Sequence, residues 1–464
     1  MLFTAPAFMF VFLPLSVIFC VLFGKNRRRL CLTVVGIAYY ILFNMKSPEN
    51  MIWLPLLILY SYFSARMICM RRNKPVAIIL GALPVAWLIT MRALATSYLE
   101  FAYPVGITLP ALCAAAYIWD IAYGDDAERN LGRLGMYFLF YPIMLIGPFI
   151  GYSKFKEIVD EANIEMSLER CALGIRLFSL GFIKRIAVGA VLIDGYKRIF
   201  DYSWDSSNLS IIFLLVVLIY FGAYFSIWGY YDMAAGISQL YGVNVEKTDA
   251  NPFKIATVNE YCASIFGSVS IWTNKYIVSP ISSFVGNKDM WFLRVCVTCI
   301  CVLLFIKSEI AVLALSIPLI VFSVASLKLG LDGKRKKRIG PRAVFGFLTV
   351  MLVGAVWVFI TMLGSPQLRE LNEITFENAE YQTDMVLMSF SGLKYLFVII
   401  VAALSLLPSS RAVERAHSKM NSKMGTFFDY GAVVALLIMF VFTVVFFLPQ
   451  FEIYNYKPFM YVLL

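Results

Sequence analysis

Histidine is nearly absent from this sequence, because His417 is the only one in 464 residues. Imidazole is the side chain whose ordinary pKa, about 6.5, suits proton transfer near neutral pH. His417 lies in the basic segment Ser409–Lys423, which we expect to be a loop between two apolar runs. A solvated histidine is the simplest interpretation of that position, so acid–base chemistry in this chain would have to use other side chains.

Charged residues are also scarce, at 15%, while hydrophobic residues make up 61%, against roughly 45–50% in soluble domains. Neither an internal repeat nor a polar stretch long enough for a soluble catalytic domain is present. Several apolar runs reach or approach the roughly 17–25 residues with which a helix crosses a bilayer. They are Phe8–Phe23, Ile211–Ile227, Val344–Leu363 and Phe427–Leu448. We therefore expect an all-α polytopic membrane protein, with residues 1–464 forming a single integral membrane domain.

The nine cysteines show no metal-binding spacing. Cys296-Val-Thr-Cys299-Ile-Cys301 lies inside an apolar run without a histidine or carboxylate beside it. We therefore interpret the cysteines as packing residues and predict no metal site. The net charge of +11 does not indicate nucleic acid as a partner, because the basic residues cluster in short segments between apolar runs. This distribution is typical of cytoplasmic loops that contact anionic membrane lipids.

The basic segments predict a consistent topology when Met1 is placed outside. The segments that then fall in the cytoplasm are Gly24–Arg29, Arg66–Lys74, Lys328–Arg342 and Ser409–Lys423. The acidic segment Gly364–Asp384 and the tail Gln450–Leu464 fall outside. This arrangement requires an even number of full crossings of the cell membrane, about ten to twelve, with both termini outside. Basic residues follow the first apolar run instead of preceding it, which favours a retained first helix over a signal peptide.

Two stretches are too polar for ordinary lipid-facing helices. One is Asn251–Ser283, and the other is Lys184-Arg185, which we expect at the end of an apolar helix. Polar groups at membrane depth are costly unless they face protein or water. These stretches are therefore expected to line a cavity or to form re-entrant turns, with an interfacial loop as the alternative.

Short motifs run along the whole chain in a fixed order. They include Met1-Leu-Phe-Thr, Phe8-Met-Phe-Val-Phe-Leu-Pro14, Tyr103-Pro-Val-Gly-Ile-Thr108, Tyr117-Ile-Trp-Asp120, Gly147-Pro148, Tyr152-Ser-Lys-Phe155, Gly181-Phe-Ile-Lys184-Arg185, Trp228-Gly-Tyr-Tyr-Asp232-Met-Ala234, Asn251-Pro-Phe253 and Asn455-Tyr-Lys-Pro458-Phe-Met-Tyr461. Together they resemble the membrane-bound O-acyltransferase family, in its bacterial branch of alginate O-acetyltransferases and D-alanyl-lipoteichoic acid enzymes. The resemblance implies a helical bundle of about ten to twelve spans around a tunnel or funnel, with re-entrant or short helices.

Two histidine positions of that family are vacant here. The family's E-F-W-R-R-W-H segment aligns with the stretch that begins at Glu260, and Phe266 stands in the place of its histidine. The family's catalytic G-L-W-H-G, placed by its distance from Arg294, falls on Phe305-Ile306-Lys307-Ser308, so Lys307 stands in the place of the second histidine. Phenylalanine cannot accept a proton, and lysine, with an ordinary pKa of about 10.4, would need strong desolvation to be neutral at pH 7.

The candidates for a rebuilt catalytic site are Lys307, Glu309, Asp232 and Glu260. Lys307-Ser308-Glu309 is alternatively a polar turn between two helices. Asp232 lies in an apolar stretch, where an ionisable group indicates function, or it caps a helix that starts at Met233. Glu260 is alternatively the partner of Lys275 or Lys254 in a buried ion pair.

The resemblance also implies a donor and a partner. The donor would be acyl-CoA, in particular acetyl-CoA, or a carrier-protein thioester, with no resident cofactor. Arg176, Lys184 and Arg185 are candidates for holding its anionic phosphates, with snorkelling at a helix end as the alternative. The partner would be an extracytoplasmic acyltransferase of the SGNH type or another envelope protein.

Three functions stay open at this point. The first is an O-acyltransferase that moves acyl groups across the membrane to modify a cell-surface polysaccharide or polymer, with a site that lacks histidine. The second is a catalytically silent relative that acts as a scaffold or partner subunit in a cell-envelope assembly. The third is a transporter or conduit.

Overall fold

The computed structural model describes residues 3–23, 27–45, 47–71, 74–97, 106–144, 149–160, 167–202, 209–245, 255, 257–265, 267–281, 316–328, 339–362, 434 and 436–447. Every regular element in these ranges is helical. Within the described ranges, three helices are long and apolar enough to cross a membrane, namely Pro48–Met70, Lys74–Met91 and Ile212–Leu240. Shorter apolar helices cover Phe8–Phe23, Ile317–Ser326, Val344–Ile360 and Leu436–Val445. The predicted class, an all-α membrane protein, is confirmed, whereas the predicted number of crossings, the tunnel and the topology stay predictions.

The α-helices follow one another along the described chain. They are α1 (Leu13–Phe23), α2 (Arg28–Asn44), α3 (Trp53–Arg71), α4 (Lys74–Ser97), α5 (Thr108–Tyr123), α6 (Leu131–Leu139), α7 (Tyr141–Met144), α8 (Tyr152–Asp160), α9 (Leu168–Ile183), α10 (Val191–Tyr202), α11 (Leu209–Leu240), α12 (Val258–Ile265), α13 (Gly267–Thr273), α14 (Ser316–Lys328) and α15 (Ile339–Met362). A 3₁₀-helix covers Pro48–Ile52, and π-helical segments cover Phe8–Phe12, Lys184–Ala190, Asn274–Val278 and Thr443–Phe447.

Helix α11 is the centre of the described bundle, and 72% of its membrane-length window is buried by other parts of the protein. Its principal neighbour is α9, which approaches it through glycines. A Cβ atom at Gly181 would lie 2.5 Å from the carbonyl oxygen of Gly229, and one at Gly236 would lie 2.7 Å from that of Gly174. Small residues allow this close backbone approach between membrane helices, so the glycines determine which helix α11 packs against.

The chain from α9 to α10 is one continuous helical stretch, because the π-helical segment Lys184–Ala190 joins the two. Lys184 and Arg185 are therefore at the start of this segment, not at the end of a helix as the sequence suggested. The close packing on α11 continues beyond them, since Gly189 faces Ser226 and Gly222 faces Ile193. A π-helical turn within an α-helix frequently marks a functional site.

Helices α3, α4 and α5 form a second group, in which α5 packs against both α3 and α4. Gly81 of α4 lies directly against the indole of Trp119 in α5, so no side chain fits there. Pro84 lies inside α4 and has no backbone N–H to donate to the carbonyl of Leu80. The hydroxyl of Tyr60 in α3 donates to that carbonyl instead, at 2.6 Å. In this way α3 compensates for the proline in its neighbour.

The N-terminal segment is held by a buried aromatic cluster. Phe3 and Phe8 pack against Tyr39 and Tyr141 with ring centroids 5.8–6.1 Å apart. The hydroxyl of Tyr241, just after α11, lies 2.8 Å from that of Tyr141 and 2.6 Å from that of Ser16. These contacts fix the first helices against the central helix.

Candidate functional site

Motifs that are far apart in the sequence meet around Asp120, which lies near the end of α5. Lys275 donates a hydrogen bond to Asp120 Oδ1 at 2.8 Å, and the hydroxyl of Tyr276 donates to Asp120 Oδ2 at 2.7 Å. Lys275 Nζ also lies 2.9 Å from the Tyr276 hydroxyl, to which it donates. We call these three residues, with Trp119 and Trp272, the motif junction.

Aromatic contacts hold the motif junction in place. The rings of Trp119, Trp272 and Tyr276 lie with their centroids 5.6–5.8 Å apart. The indole N–H of Trp272 donates to the carbonyl of Leu112 at 2.9 Å, which anchors α13 on the body of α5. The π-helical segment Asn274–Val278 then follows, with Lys275 and Tyr276 as two of its residues.

A third motif approaches the motif junction from the segment before α8. The backbone N–H of Phe149 donates to Ser268 Oγ at 2.8 Å, and its ring lies 6.1 Å from that of Tyr276. A Cβ atom at Gly151 would lie 3.7 Å from Asp120 Oδ2. Tyr231 of α11 also lies close to Ser268, so the central helix, α13 and the segment before α8 meet here.

A buried carboxylate supports the adjoining loop between α5 and α6. Glu128 is 8% exposed and accepts from the Asn130 N–H at 2.9 Å and the Tyr152 hydroxyl at 2.7 Å. Burial by itself would raise the pKa of Glu128, but these two hydrogen bonds and the charges of Lys156 and Arg133 outweigh it, so the pKa lies below its ordinary value. Burial, followed by the Glu128 carboxylate, raises the pKa of Tyr152 far above its ordinary value. The loop therefore holds an ionised carboxylate over a neutral phenol.

Asp232, a predicted catalytic candidate, lies in the interior of α11 and its side chain is fully buried. Lys184 Nζ lies 2.7 Å from Asp232 Oδ2, and the lysine side chain is 22% exposed. Helix α11 runs through this point without a break, so the alternative that Asp232 caps a helix beginning at Met233 is wrong. The structure instead gives Asp232 the role of counter-ion for a lysine at the start of the π-helical segment.

The three residues predicted to bind phosphates differ in how exposed their side chains are. Arg185 is 1% exposed, and its guanidinium lies 4.8 Å from the centroid of the Tyr230 ring. Lys184 is paired with Asp232, whereas Arg176 is on the exposed side of α9. Binding of donor phosphates by these residues stays a prediction, and Arg176 is the only one of the three that is exposed.

Glu260, another predicted catalytic candidate, lies in the first turn of α12. Its backbone N–H donates to Thr257 Oγ1 at 3.2 Å, which is one half of a capping box of the type Thr-x-x-Glu. Of the two ion-pair partners predicted for Glu260, Lys275 instead bonds to Asp120, and Lys254 lies outside the described residues. A catalytic role for Glu260 stays a prediction.

The remaining candidates lie outside the described residues. These are Lys307 and Glu309, the vacant histidine position Phe266, and the single histidine, His417. Asp120 belongs to the motif Tyr117-Ile-Trp-Asp120, and no role was predicted for it. The signal that could have found it is a carboxylate next to two aromatic residues at the end of an apolar helix.

The motif junction offers one cation to a ligand. An ammonium group has three N–H donors. In Lys275 one of them donates to Asp120 and a second donates to Tyr276. The side chain of Lys275 is 54% exposed, so a further donor is open to the surroundings. This N–H can donate to a carbonyl oxygen, a carboxylate or a phosphate.

No family model matches the chain, but it is similar to several curated proteins. A probable alginate O-acetylase, AlgI, of Pseudomonas putida is 24% identical over 319 residues, which cover 63% of this chain and 63% of that protein. The corresponding protein of Pseudomonas aeruginosa is 25% identical over 194 residues, which cover 41% of this chain and 35% of that protein. A peptidoglycan O-acetyltransferase of Helicobacter pylori is 23% identical over 344 residues, which cover 62% of each chain.

These relatives are O-acetyltransferases of the membrane-bound O-acyltransferase type, and they confirm the resemblance that the motifs indicated. The chain spans less than two thirds of the length of the curated relatives that it matches.

Proposed function

We propose that this chain is a membrane O-acyltransferase that moves acetyl groups from a cytoplasmic thioester donor across the membrane, for modification of a cell-surface polysaccharide or peptidoglycan. The observation that supports it is the motif junction, where two family-like segments that are far apart in the sequence meet at Asp120, Lys275 and Tyr276 within 2.7–2.9 Å. The relatives named as O-acetylases of alginate and of peptidoglycan support the same reaction class.

The reaction has simple requirements. The acceptor hydroxyl attacks the thioester carbonyl, a C–O bond forms, the C–S bond breaks, and the hydroxyl proton goes through a base to the leaving thiolate. Negative charge develops on the carbonyl oxygen during the attack, so a positioned donor lowers the barrier. Lys275 supplies such a donor, because Asp120 and Tyr276 fix its ammonium while part of the side chain stays exposed.

The base is assigned to the segment around Lys307 and Glu309. Asp232 is fully buried against Lys184, and Glu260 lies in the capped first turn of α12. Asp232 therefore has a structural role, and Lys307, in the position of the family's second histidine, is the first candidate for the base, with Glu260 as a further candidate. Arg176, on the exposed side of α9, is assigned to the phosphates of acetyl-CoA or of a carrier-protein thioester. An extracytoplasmic SGNH-type acyltransferase would receive the acetyl group.

The test uses the purified full-length protein in lipid nanodiscs with radiolabelled acetyl-CoA and an oligosaccharide acceptor. Transfer of label should be lost in Lys307→Ala and kept in His417→Ala. Lys275→Gln should lower kcat for transfer, whereas Lys154→Gln, at an exposed lysine of α8, should not. Loss of transfer in His417→Ala, or full activity of Lys307→Ala, would overturn the assignment of the base.

A second function, a catalytically silent scaffold subunit, is favoured by one observation. Phe266 and Lys307 occupy both family histidine positions, and His417 is the only histidine in the chain. For this function the wild-type protein would show no transfer with any thioester donor, and a second acyltransferase would co-purify with it. That result would replace the first proposal.

A further inference from the structure

An apolar groove with a volume of about 270 Å³ lies between α3 and α4. Leu57 and Pro84 are buried at its floor, and Leu56 and Leu83, 46% and 48% exposed, form its two sides. The groove is smaller than the roughly 300–1,000 Å³ typical of pockets for drug-sized ligands. Its size and lining therefore suit a narrow hydrocarbon.

Pro84 and Tyr60 give the groove a fixed wall. Pro84 leaves the carbonyl of Leu80 without a helical donor, and the Tyr60 hydroxyl donates to that carbonyl at 2.6 Å. This hydrogen bond satisfies the polar atoms of both residues, so the groove presents the ring of Tyr60 and not its hydroxyl. An apolar ligand can therefore occupy the groove without burying an unpaired polar group.

Two tryptophans form the opposite end of the groove. The rings of Trp53 and Trp87 lie 5.0 Å apart at an angle of 47°. Trp53 begins α3 directly after the 3₁₀-helix Pro48–Ile52, which contains Glu49. Tryptophan is enriched where a membrane helix meets the lipid headgroups. The groove thus extends from a headgroup level at Trp53 toward the membrane interior at Tyr60, over about 10 Å of helix.

The surroundings of the groove determine its occupant. Both helices have membrane-length apolar windows, and only 33% of the α3 window and 22% of the α4 window are buried within the protein. The exposed remainder of such helices faces lipid acyl chains. We propose that the groove binds one acyl chain of a membrane phospholipid, with its headgroup beside Trp53 and Trp87. This inference is independent of the proposed function.

The proposal is tested with the full-length protein in vesicles of phosphatidylcholine, with and without bromine on the acyl chains. Bromine quenches tryptophan at contact distance, and the contribution of the groove is the difference between wild type and the Trp53→Phe, Trp87→Phe double variant. Native mass spectrometry of the protein released from the same lipid measures how much phospholipid stays bound. The wild type should show strong quenching of the two groove tryptophans and retain one phospholipid.

The discriminating variant is Leu56→Phe, Leu83→Phe, which places a ring on each side of the groove. The matched control is Leu59→Phe, Ile79→Phe, at exposed positions of the same helices that do not line the groove. The groove variant should lose the retained phospholipid, and the control should keep it. Equal retention by both variants would overturn the proposal, and so would a groove variant that loses self-association instead of lipid, because the occupant would then be a second copy of this chain.

Discussion

Tyr60→Phe removes one hydroxyl from α3 and should destabilise the protein, because the neighbouring helix α4 loses a hydrogen bond. The Tyr60 hydroxyl donates at 2.6 Å to the carbonyl of Leu80, which the proline at position 84 leaves without a helical donor. In Tyr60→Phe that carbonyl is half-buried at membrane depth with no water to replace the donor. The expected loss is about 1–2 kcal/mol of unfolding free energy, within the range for a buried group left unsatisfied and for hydrogen bonds between membrane helices.

A double-mutant cycle with Pro84→Ala isolates the cause. Alanine restores the backbone N–H of residue 84, which then donates to the Leu80 carbonyl within α4. In the Pro84→Ala background, Tyr60→Phe should therefore cost less than about 0.5 kcal/mol, so that the two substitutions couple by about 1 kcal/mol. A loss of packing by Tyr60 would not show this coupling, because both tyrosine and phenylalanine retain the ring.

The assay is reversible unfolding in mixed detergent micelles, followed by helical circular dichroism. The matched control is Tyr62→Phe on the same helix, whose hydroxyl accepts from Arg66 and donates to the Arg129 carbonyl at the exposed surface. It should change the unfolding free energy by less than about 0.5 kcal/mol. If Tyr60→Phe loses no more unfolding free energy than Tyr62→Phe, or loses the same amount with and without Pro84, the Tyr60 hydroxyl does not replace the missing helical donor.

Three further predictions concern the central helix and the loop near the motif junction. Asp232→Asn leaves Lys184 beside a neutral partner and should lower the unfolding free energy by about 3–5 kcal/mol in the same unfolding assay. Asp232→Leu combined with Lys184→Met should restore most of that unfolding free energy. Gly229→Ala places a Cβ atom 2.6 Å from the carbonyl oxygen of Gly181 and should cost about 1–3 kcal/mol by forcing α9 and α11 apart; equal stability of this variant would contradict the close packing. The pKa of Glu128 is lowered in the folded state, so its charge contributes stability that is present above about pH 4.3 and is lost as the pH falls through the folded pKa. Glu128→Gln should lower the thermal midpoint at pH 7 and make it less sensitive to acid, and an unchanged acid profile would exclude Glu128 as the titrating group.

The helical class and the family resemblance were accessible from local patterns. Apolar runs such as Phe8–Phe23 and Val344–Leu363 predicted membrane helices, and the structure has apolar helices over Phe8–Phe23 and Val344–Ile360. The cap at Thr257 could also have been predicted, because Thr-x-x-Glu is a local signal. Lys184 was misplaced at a helix end, because nothing in the sequence distinguishes a helix that stops from one that changes to a π-helical turn.

Which residues pair with one another across long distances in the sequence could be seen only in the tertiary structure. Asp120 meets Lys275, and Lys184 meets Asp232, only after the helices have packed, since hydropathy and spacing describe one helix at a time. The lack of histidine at both family positions, by contrast, follows from the sequence alone, and it excludes the usual base there. The sequence therefore determined the class of protein and the lack of a histidine base. The tertiary structure decided which charges are neutralised in pairs and that Lys275 remains partly exposed to a ligand. The physical reason is that burial in a membrane protein is set by neighbouring helices, and no single segment encodes its neighbours.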